Sequence, residues 1–167
     1  NHPSIGCWAL PGGFVELREN LEETARRELE EETGVTGAAV EQFACYGDYD
    51  RDPRARVITT AYMALVDAAC VSVRAGDDAA DAAWCSVFLK ENARKEDQEW
   101  IVCEYQLIIL NGERGISTTA SIIKKERKGL IREKKYTVLD RGMTAVDHAA
   151  IIVQAMEILE RRIRHIS

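Results

Sequence analysis

The 167-residue sequence predicts an α/β protein, and three observations support that prediction. An apolar stretch that ends at Leu10 passes through a glycine turn into a helix that Asn20 begins. Further along the chain, apolar residues at strand-like spacing alternate with turn signals. The chain closes on a helix with one apolar face. Both kinds of segment in a chain of ordinary domain size favour a single domain over residues 1–167.

The composition supports a packed core and excludes several classes of protein. Apolar residues make up 46% of the chain and charged residues 30%, with a net charge of -6. That balance argues against a protein built to coat nucleic acid. A nucleic-acid partner is therefore not expected. A membrane partner is not expected either, because no apolar run reaches the roughly 18 residues that a membrane span needs. The five scattered cysteines form no CxxC pair, which argues against a zinc site and against a disulfide framework. Free cysteines are typical of proteins in the reducing cytoplasm, where the protein is expected.

The negative charge is concentrated in one predicted helix. Residues 16–32 hold eight glutamates and three arginines, which is most of the negative excess of the chain. Asn20 is a good N-cap and Gly34 a good C-terminal glycine, so the helix lies between them. A run of charges is usually a solvated helix face, which is the ordinary alternative here.

The apolar stripe of this helix becomes acidic in the last turn. Leu21, Ala25 and Leu29 recur every four residues and mark the face expected to pack inward. Glu28 and Glu32 project close to that same face. Because buried carboxylates are costly, the pattern predicts a cleft in which they hold a divalent cation. Hard oxygen ligands suit magnesium, with manganese as a substitute.

The segment from Gly13 to Val35 resembles the Nudix box. The family pattern is Gly, five residues, Glu, seven residues, then Arg-Glu-apolar-any-Glu-Glu-any-Gly-apolar, and the sequence meets every fixed position. The resemblance implies the Nudix fold, an α/β/α sandwich around a mixed sheet. It also implies Mg²⁺-dependent hydrolysis of a nucleoside diphosphate linked to another moiety, with ADP-ribose or a related sugar nucleotide as the expected substrate.

The resemblance also implies the metal ligands. Glu28 and Glu32 would be the principal ligands, and Glu31 a ligand or a partner of the metal's water. The carbonyl of Gly12, directly before the box, would complete the shell.

Three further residues have roles that support the carboxylates. By the resemblance, Arg27 would orient the glutamates and Glu19 would support the site or a second ion. Gly13 lies in a Pro-Gly-Gly turn, where adjacent glycines allow the backbone to approach a substrate phosphate closely. Catalysis is therefore expected to depend on Glu31, Glu32 and Arg27, with Gly13 contacting the substrate.

A polar loop after the box carries two candidate substrate-binding arginines. The stretch Arg51-Asp-Pro-Arg54, followed by the apolar strand 57–66, resembles the ADP-ribose-directed branch of the family and its regulator relatives. Arg51 and Arg54 could bind phosphate or ribose, since arginine suits planar, bidentate contacts. The alternative is an ordinary surface turn rich in turn formers.

The Nudix resemblance implies a general base in a loop downstream of the box, at a position that the motif does not fix, and the acidic loop at residues 75–83 offers candidates. Its candidates are Asp77, Asp78 and Asp81, of which Asp81 is preferred. A solvated acidic turn is the alternative for each of them.

Residues 98–138 predict an inserted hairpin. Asn111-Gly112 is a two-residue hairpin signal between strands 100–110 and 116–123, and a third strand is possible at 130–138. Residues 124–135 hold seven basic and two acidic side chains. The basic stretch fits a solvated sheet edge, a phosphate-contacting flap, an RNA-facing patch or a dimer arm.

The last predicted helix begins near Thr144 and has a buried stripe that includes Ala149, Ile152 and Ile163. Its Val-Asp-His-Ala start resembles ADP-ribose-type and regulator-type Nudix domains. Only twelve residues precede the box, so N-terminal strands are expected to be missing. A homodimer is expected by analogy. The alternatives to an enzyme of this kind are a non-catalytic sensor of an ADP-ribose-type ligand and an RNA-end hydrolase.

Overall fold

A computed structural model describes residues 6–73 and 81–166 of the chain. The chain divides into two compact units, Leu10–Trp84 and the combination of Asn1–Ala9 with Cys85–Ser167. The helices and antiparallel sheets confirm the α/β class. The single domain with an inserted hairpin stays a prediction.

The unit Leu10–Trp84 contains one helix and a two-stranded antiparallel sheet. Its elements are α1 (Leu21–Thr33), β1 (Val40–Tyr46) and β2 (Thr59–Ala64). The predicted ends of the helix are confirmed. The Asn20 amide donates a hydrogen bond to the Glu23 carboxylate at 2.7 Å. Gly34 adopts a left-handed conformation (φ 75°) and its amide donates to the Glu30 carbonyl, as a C-terminal glycine does.

The predicted inward stripe of α1 is wrong in part. Leu21 is exposed, Ala25 and Leu29 are half-buried, and Thr24 is the buried residue of the helix. The Thr24 hydroxyl donates to Glu19 at 2.7 Å, so hydrogen bonding rather than apolar packing accounts for its burial. The buried position of the helix is therefore occupied by a hydrogen-bonded polar residue, beside the half-buried Ala25 and Leu29.

The other unit is a four-stranded antiparallel sheet with a helix against it. The strands pair in the order β3-β4-β5-β6, and α2 contacts β4, β5 and β6. Residues of β5 alternate between buried and exposed, as expected for a sheet with one covered face. Leu107, Ile122 and Val153 are among the fully buried core residues. The elements are β3 (Ser86–Glu96), β4 (Trp100–Asn111), β5 (Ile116–Arg127), β6 (Lys134–Asp140) and α2 (His148–Ile166).

The predicted hairpin strands pair as expected, but their turn is longer than predicted. Asn111 pairs with Ile116 across β4 and β5, so four residues rather than two connect the strands. Gly115 supplies the left-handed conformation (φ 65°), and the Asn111 side chain accepts a hydrogen bond from the Arg114 amide at 3.0 Å. The asparagine therefore caps the loop instead of occupying a two-residue turn.

The last helix begins four residues later than its sequence pattern predicts. The Ala145 amide donates to the Trp8 carbonyl at 2.9 Å, and Val146 has a positive φ of 42°, so the backbone is not helical there. Thr144 does not cap the helix, since its hydroxyl donates to the Arg141 carbonyl. Ala149 is buried as predicted, whereas Ile163 is 64% exposed.

Two general properties of the described residues complete the fold. Within residues 6–73 and 81–166, no helix is both long and apolar enough to cross a membrane. In the same part of the chain, every buried side-chain nitrogen or oxygen has a hydrogen-bond partner.

Gly142 is the glycine whose replacement we expect to damage the sheet unit most. A Cβ at this position would lie 2.4 Å from the Thr119 carbonyl oxygen, and the backbone has a φ of 54°. We expect Gly142→Ala to lower the free energy of unfolding by about 3 kcal/mol, from left-handed strain and backbone overlap together. Urea denaturation measures this change.

Gly115→Ala is the matched control for that prediction. Gly115 has a similar φ of 65°, but nothing lies within 4 Å of the added Cβ. We expect it to cost about 1 kcal/mol, from strain alone. Equal losses in the two variants would contradict the argument that the Thr119 contact dominates.

Candidate functional site

The glycine loop is fixed against α1 by backbone contacts. The Gly12 amide donates a hydrogen bond to Glu32 Oε2 at 2.9 Å. The Phe14 carbonyl accepts one from Arg27 Nη2 at 3.3 Å. Between them, a Cβ on Gly13 would lie 2.2 Å from Glu28 Oε1, so only glycine fits without moving that carboxylate. The loop and the acidic end of the helix therefore form one local structure.

Arg27 lies at the centre of the charged side chains. Its guanidinium donates to both oxygens of Glu19, at 2.8 and 3.0 Å. The same group donates to Glu28 Oε1 at 2.6 Å and to Glu31 Oε2 at 3.1 Å. One cation thus fixes three carboxylates, which fits the orienting role that the Nudix resemblance implies. We call this group, with Glu32, the acidic site.

The acidic site shifts the pKa of its members in opposite directions. Hydrogen bonds from Arg27 and Thr24 lower the pKa of Glu19 to about 2. The Arg27 pKa is raised, first by its hydrogen bonds to Glu19 and Glu28. Burial raises the pKa of Glu32, and the neighbouring carboxylates of Glu28 and Glu31 add to that effect. Arg27 contacts Glu19, Glu28 and Glu31, whereas Glu32 is held by the Gly12 amide.

The donor set fits a hard divalent cation. The acidic site has four carboxylates and one guanidinium, so three negative charges remain for an ion or its ligand to neutralise. Among residues 6–73 and 81–166, no three His, Cys, Asp or Glu side chains converge closely enough to enclose a metal. Arg27 already holds Glu28 and Glu31. To bind a cation, these two carboxylates would either contact the cation and Arg27 together or move away from Arg27. The predicted ligands Glu28, Glu31 and Glu32 are nevertheless neighbours.

Gly12 contacts the acidic site through its backbone amide, which is bonded to Glu32. The role of its carbonyl as a metal ligand, which the resemblance implies, stays a prediction. Sequence reasoning also missed the Phe14 carbonyl and the Thr24 hydroxyl as partners of Arg27 and Glu19. A backbone contact leaves no signal in residue types. Thr24, five residues after Glu19, was a polar residue within the helix pattern that could have been noticed.

The two arginines of the β1–β2 loop make contacts within or beside that loop. Arg51 Nη1 donates to the Thr59 hydroxyl at 2.6 Å. Arg54 binds both oxygens of Asp52, at 2.6 and 3.0 Å, and Asp52 is buried. Hydrogen bonds from Arg54 lower the pKa of Asp52 to about 2. The burial of Asp52 beneath Arg54 is not apparent from the sequence pattern. The binding of substrate by Arg51 and Arg54 stays a prediction.

The predicted general bases lie in and beside a segment that the structure does not describe. Asp77 and Asp78 are outside the described residues. Asp81 is exposed in the segment that precedes β3. Its role as a base stays a prediction.

A glycine loop pinned to a helix that ends in Arg-Glu-x-x-Glu-Glu defines a Nudix-type site. The sequence model of the family described as "NUDIX domain" matches residues 1–102. The chain therefore belongs to the Nudix family, and the predicted family is confirmed.

Two curated relatives and one solved structure are similar to the chain. It is 44% identical over 82 residues to an "ADP-ribose pyrophosphatase" of Methanocaldococcus jannaschii, which is 49% of the chain and 47% of that protein. It is 45% identical over 69 residues to the "ADPR responsive transcriptional repressor NtrR" of Acinetobacter baylyi, or 40% of the chain and 28% of that protein. The chain thus spans less than half the length of either curated relative.

The solved structure confirms the predicted fold. A crystal structure of a "MutT/nudix family protein" from Enterococcus faecalis matches with a TM-score of 0.65 and 27% identity. The match covers 93% of the chain and 50% of that protein. The Nudix fold is therefore shown by structure as well as by sequence.

Proposed function

We propose that the chain is a Nudix pyrophosphohydrolase that cleaves a nucleoside diphosphate linked to another moiety, with ADP-ribose as the first candidate substrate. The observation that carries the proposal is the acidic site, in which Arg27 and the Gly12 amide hold Glu28, Glu31 and Glu32 together. The M. jannaschii relative supports the choice of ADP-ribose, since its name states that substrate.

In such a reaction, residues of the chain would position the cation and the substrate phosphates. Mg²⁺, with Mn²⁺ as a substitute, would supply neutralisation of the pyrophosphate and activation of the attacking water. Glu28, Glu31 and Glu32 would hold the cation, and Arg27 would keep the first two aligned. Gly13 has no side chain, so its backbone could approach the phosphates closely.

The remaining assignments concern the substrate and the proton. Arg51 and Arg54 would bind phosphate or ribose, and Asp81 would accept a proton from the attacking water. Attack at one phosphorus breaks the phosphoanhydride, so ADP-ribose would give AMP and ribose 5-phosphate.

A substrate panel tests the proposal directly. The protein is incubated with Mg²⁺ and with ADP-ribose, NADH, UDP-glucose and a capped RNA, and products are separated by ion-exchange chromatography. We expect AMP and ribose 5-phosphate from ADP-ribose, and no turnover when EDTA removes the divalent cation. Absence of turnover for every substrate at high protein concentration would overturn the assignment as a hydrolase, and turnover of capped RNA alone would favour an RNA-end hydrolase.

A ligand sensor is the second candidate function, favoured by the similarity to the A. baylyi repressor. It predicts that the chain binds ADP-ribose without cleaving it. Calorimetric titration with ADP-ribose and Mg²⁺ separates the two, since a sensor gives a stable binding isotherm and an enzyme gives continuing heat from turnover.

A further inference from the structure

The loop between β1 and β2 contains a buried carboxylate that the proposed reaction does not use. Asp52 is 7% exposed, whereas the other side chains of the loop are half-buried or exposed. An aspartate is rarely buried unless it is paired, and Arg54 supplies the pair. The Arg54 amide also donates to Asp52 Oδ1 at 2.9 Å. One buried carboxylate therefore fixes both the backbone and the side chain of Arg54.

The two other arginines of the loop hold it in place. Arg56 Nη1 donates to the Gly47 carbonyl at 2.7 Å, which closes the base of the loop. Arg51 Nη1 donates to the hydroxyl of Thr59, the first residue of β2. A loop that is already ordered loses little conformational entropy when it binds a ligand. The loop therefore has the preorganisation that a binding site needs.

The Arg54 guanidinium has one edge on Asp52 and another edge that faces outward. Nη2 donates to Oδ2 at 2.6 Å and Nε to Oδ1 at 3.0 Å. Within residues 6–73 and 81–166, every hydrogen bond of this guanidinium goes to Asp52. A guanidinium carries five N–H groups, so the two on Nη1 remain available on a side chain that is 44% exposed.

The charges of the loop decide which ligand group suits the Nη1 edge. Residues 47–58 contain three arginines and three aspartates, and Asp52 already neutralises Arg54. A phosphate at this edge would bring an anion close to the Asp52 carboxylate, in a loop whose charges already balance. A sugar hydroxyl is uncharged, and its oxygen accepts N–H donors. Sugar hydroxyls therefore suit this edge better than phosphate does.

We propose that Asp52 is a positioning residue that turns the Nη1 edge of Arg54 toward a sugar hydroxyl of the substrate. The inference rests on the proposed function, in which Arg54 binds the substrate, and it narrows that contact from phosphate or ribose to the sugar. ADP-ribose has a ribose on each side of its pyrophosphate, and both present the same chemistry. Asp52 acts through Arg54 and does not itself contact the substrate.

Asp52→Asn tests the positioning role. It keeps an oxygen for the Arg54 amide but removes the carboxylate that both guanidinium nitrogens use. Calorimetry measures the Kd of the α,β-methylene analogue of ADP-ribose with Mg²⁺, and steady-state kinetics measures turnover of ADP-ribose. We expect Kd and KM to rise about tenfold and kcat to stay within about twofold, because substrate binding is weakened and the chemical step is not.

Three further variants make the test specific. Asp50→Asn makes the same charge change at an exposed position of the same loop and should bind like the parent. Arg54→Lys keeps the charge without the planar fork and should weaken binding as much as Asp52→Asn does. In an Arg54→Ala background, Asp52→Asn should add nothing further, because Asp52 acts through Arg54. Circular dichroism shows whether each variant is folded, and Arg54→Lys carries the test if Asp52→Asn is not.

Two further α,β-methylene analogues identify the sugar. One lacks both ribose hydroxyls of the adenosine, and the other is a methyl ester of ADP, which lacks the second ribose. The difference in Kd between the parent and Arg54→Lys should vanish for the analogue that lacks the contacted sugar. A difference of the same size for all three compounds would overturn the hydroxyl contact and indicate a contact with phosphate.

The results separate this inference from the proposed function. Equal binding by Asp52→Asn and Asp50→Asn, or binding of the analogue as tight in Arg54→Lys as in the parent, would overturn the inference while turnover by the parent supports the hydrolase. Tighter binding by Asp52→Asn would also overturn it, since the free charge of Arg54 would then be what binds. No binding of the analogue by the parent overturns it too. Binding without turnover would overturn the hydrolase, whereas weaker binding by Asp52→Asn alone would still support the inference.

Discussion

Glu32→Gln is expected to reduce kcat/KM for the proposed substrate by about 10²- to 10³-fold, because Glu32, as the proposed metal ligand, would contribute several kcal/mol in the transition state. The substitution removes the charge of the carboxylate but keeps its shape. The amide oxygen of the introduced glutamine can still accept the hydrogen bond that the Gly12 amide donates at 2.9 Å. The loop should therefore remain in place while the cation is held poorly. Steady-state kinetics across a range of Mg²⁺ concentrations measures the change.

The same substitution at Glu30 is the matched control. Glu30 is exposed on α1, two residues before Glu32, and makes no part of the acidic site. We expect Glu30→Gln to leave kcat/KM within about twofold of the parent, since an exposed substitution costs little. Raising the Mg²⁺ concentration should restore part of the activity of the Glu32 variant. It should not change the activity of the Glu30 variant. Equal activity of the Glu32 variant and the parent would show that Glu32 is not a metal ligand.

The three predicted metal ligands could be placed together from the sequence because their spacing is a property of one helix. Glu28, Glu31 and Glu32 lie within five positions, and helical geometry alone places them together. The contacts that bring the loop onto the helix could not be predicted, because they involve the Gly12 amide and the Phe14 carbonyl. Backbone groups are the same in every residue, so only the folded chain shows which of them are used.

For the fold too, the sequence predicts the elements themselves better than their ends. Strand and helix existence followed from periodicity, whereas the start of α2 did not, since Val146 takes a positive φ that few residues of its type adopt. The contact between the Ala145 amide and Trp8 holds that backbone, and it joins residues far apart in sequence. A charged residue within a strand can also be buried where the sequence pattern predicts exposure. Lys124 was counted with the solvated basic stretch, but it is buried.

The buried group around Lys124 carries the largest stability prediction for the sheet unit. Its ammonium lies 2.7 Å from Glu157 Oε1 and 2.9 Å from Glu126 Oε2. Tyr105 and Tyr136 donate their hydroxyl groups to the Glu157 carboxylate. Burial alone would lower the pKa of Lys124, but the hydrogen bonds to the two carboxylates outweigh it and leave the pKa raised. Lys124 therefore stays charged and compensates two carboxylates inside the protein.

Lys124→Met is expected to lower the free energy of unfolding by about 3–5 kcal/mol, because it removes the cation nearest to Glu126 and the cation paired with Glu157. Lys125→Met, one residue along the strand on the exposed face, is the matched control and should cost less than about 1 kcal/mol. Urea denaturation at neutral pH measures both changes. Similar losses in the two variants would show that the buried pairing contributes little.

The pH dependence separates lost pairing from lost packing. Burial raises the pKa of Glu126, but the hydrogen bond from Lys124 and the charges of Lys124, Lys134 and Arg132 together outweigh it, so the pKa of Glu126 in the folded protein is lowered from the usual 4.5. A lowered pKa stabilises the fold at pH values above 4.5, and that stabilisation is lost as the pH falls through the folded pKa. The variant lacks the lysine that lowers this pKa, so acid removes less from it than from the parent. The difference in unfolding free energy should therefore shrink below pH 4.5, whereas a packing defect would leave it constant.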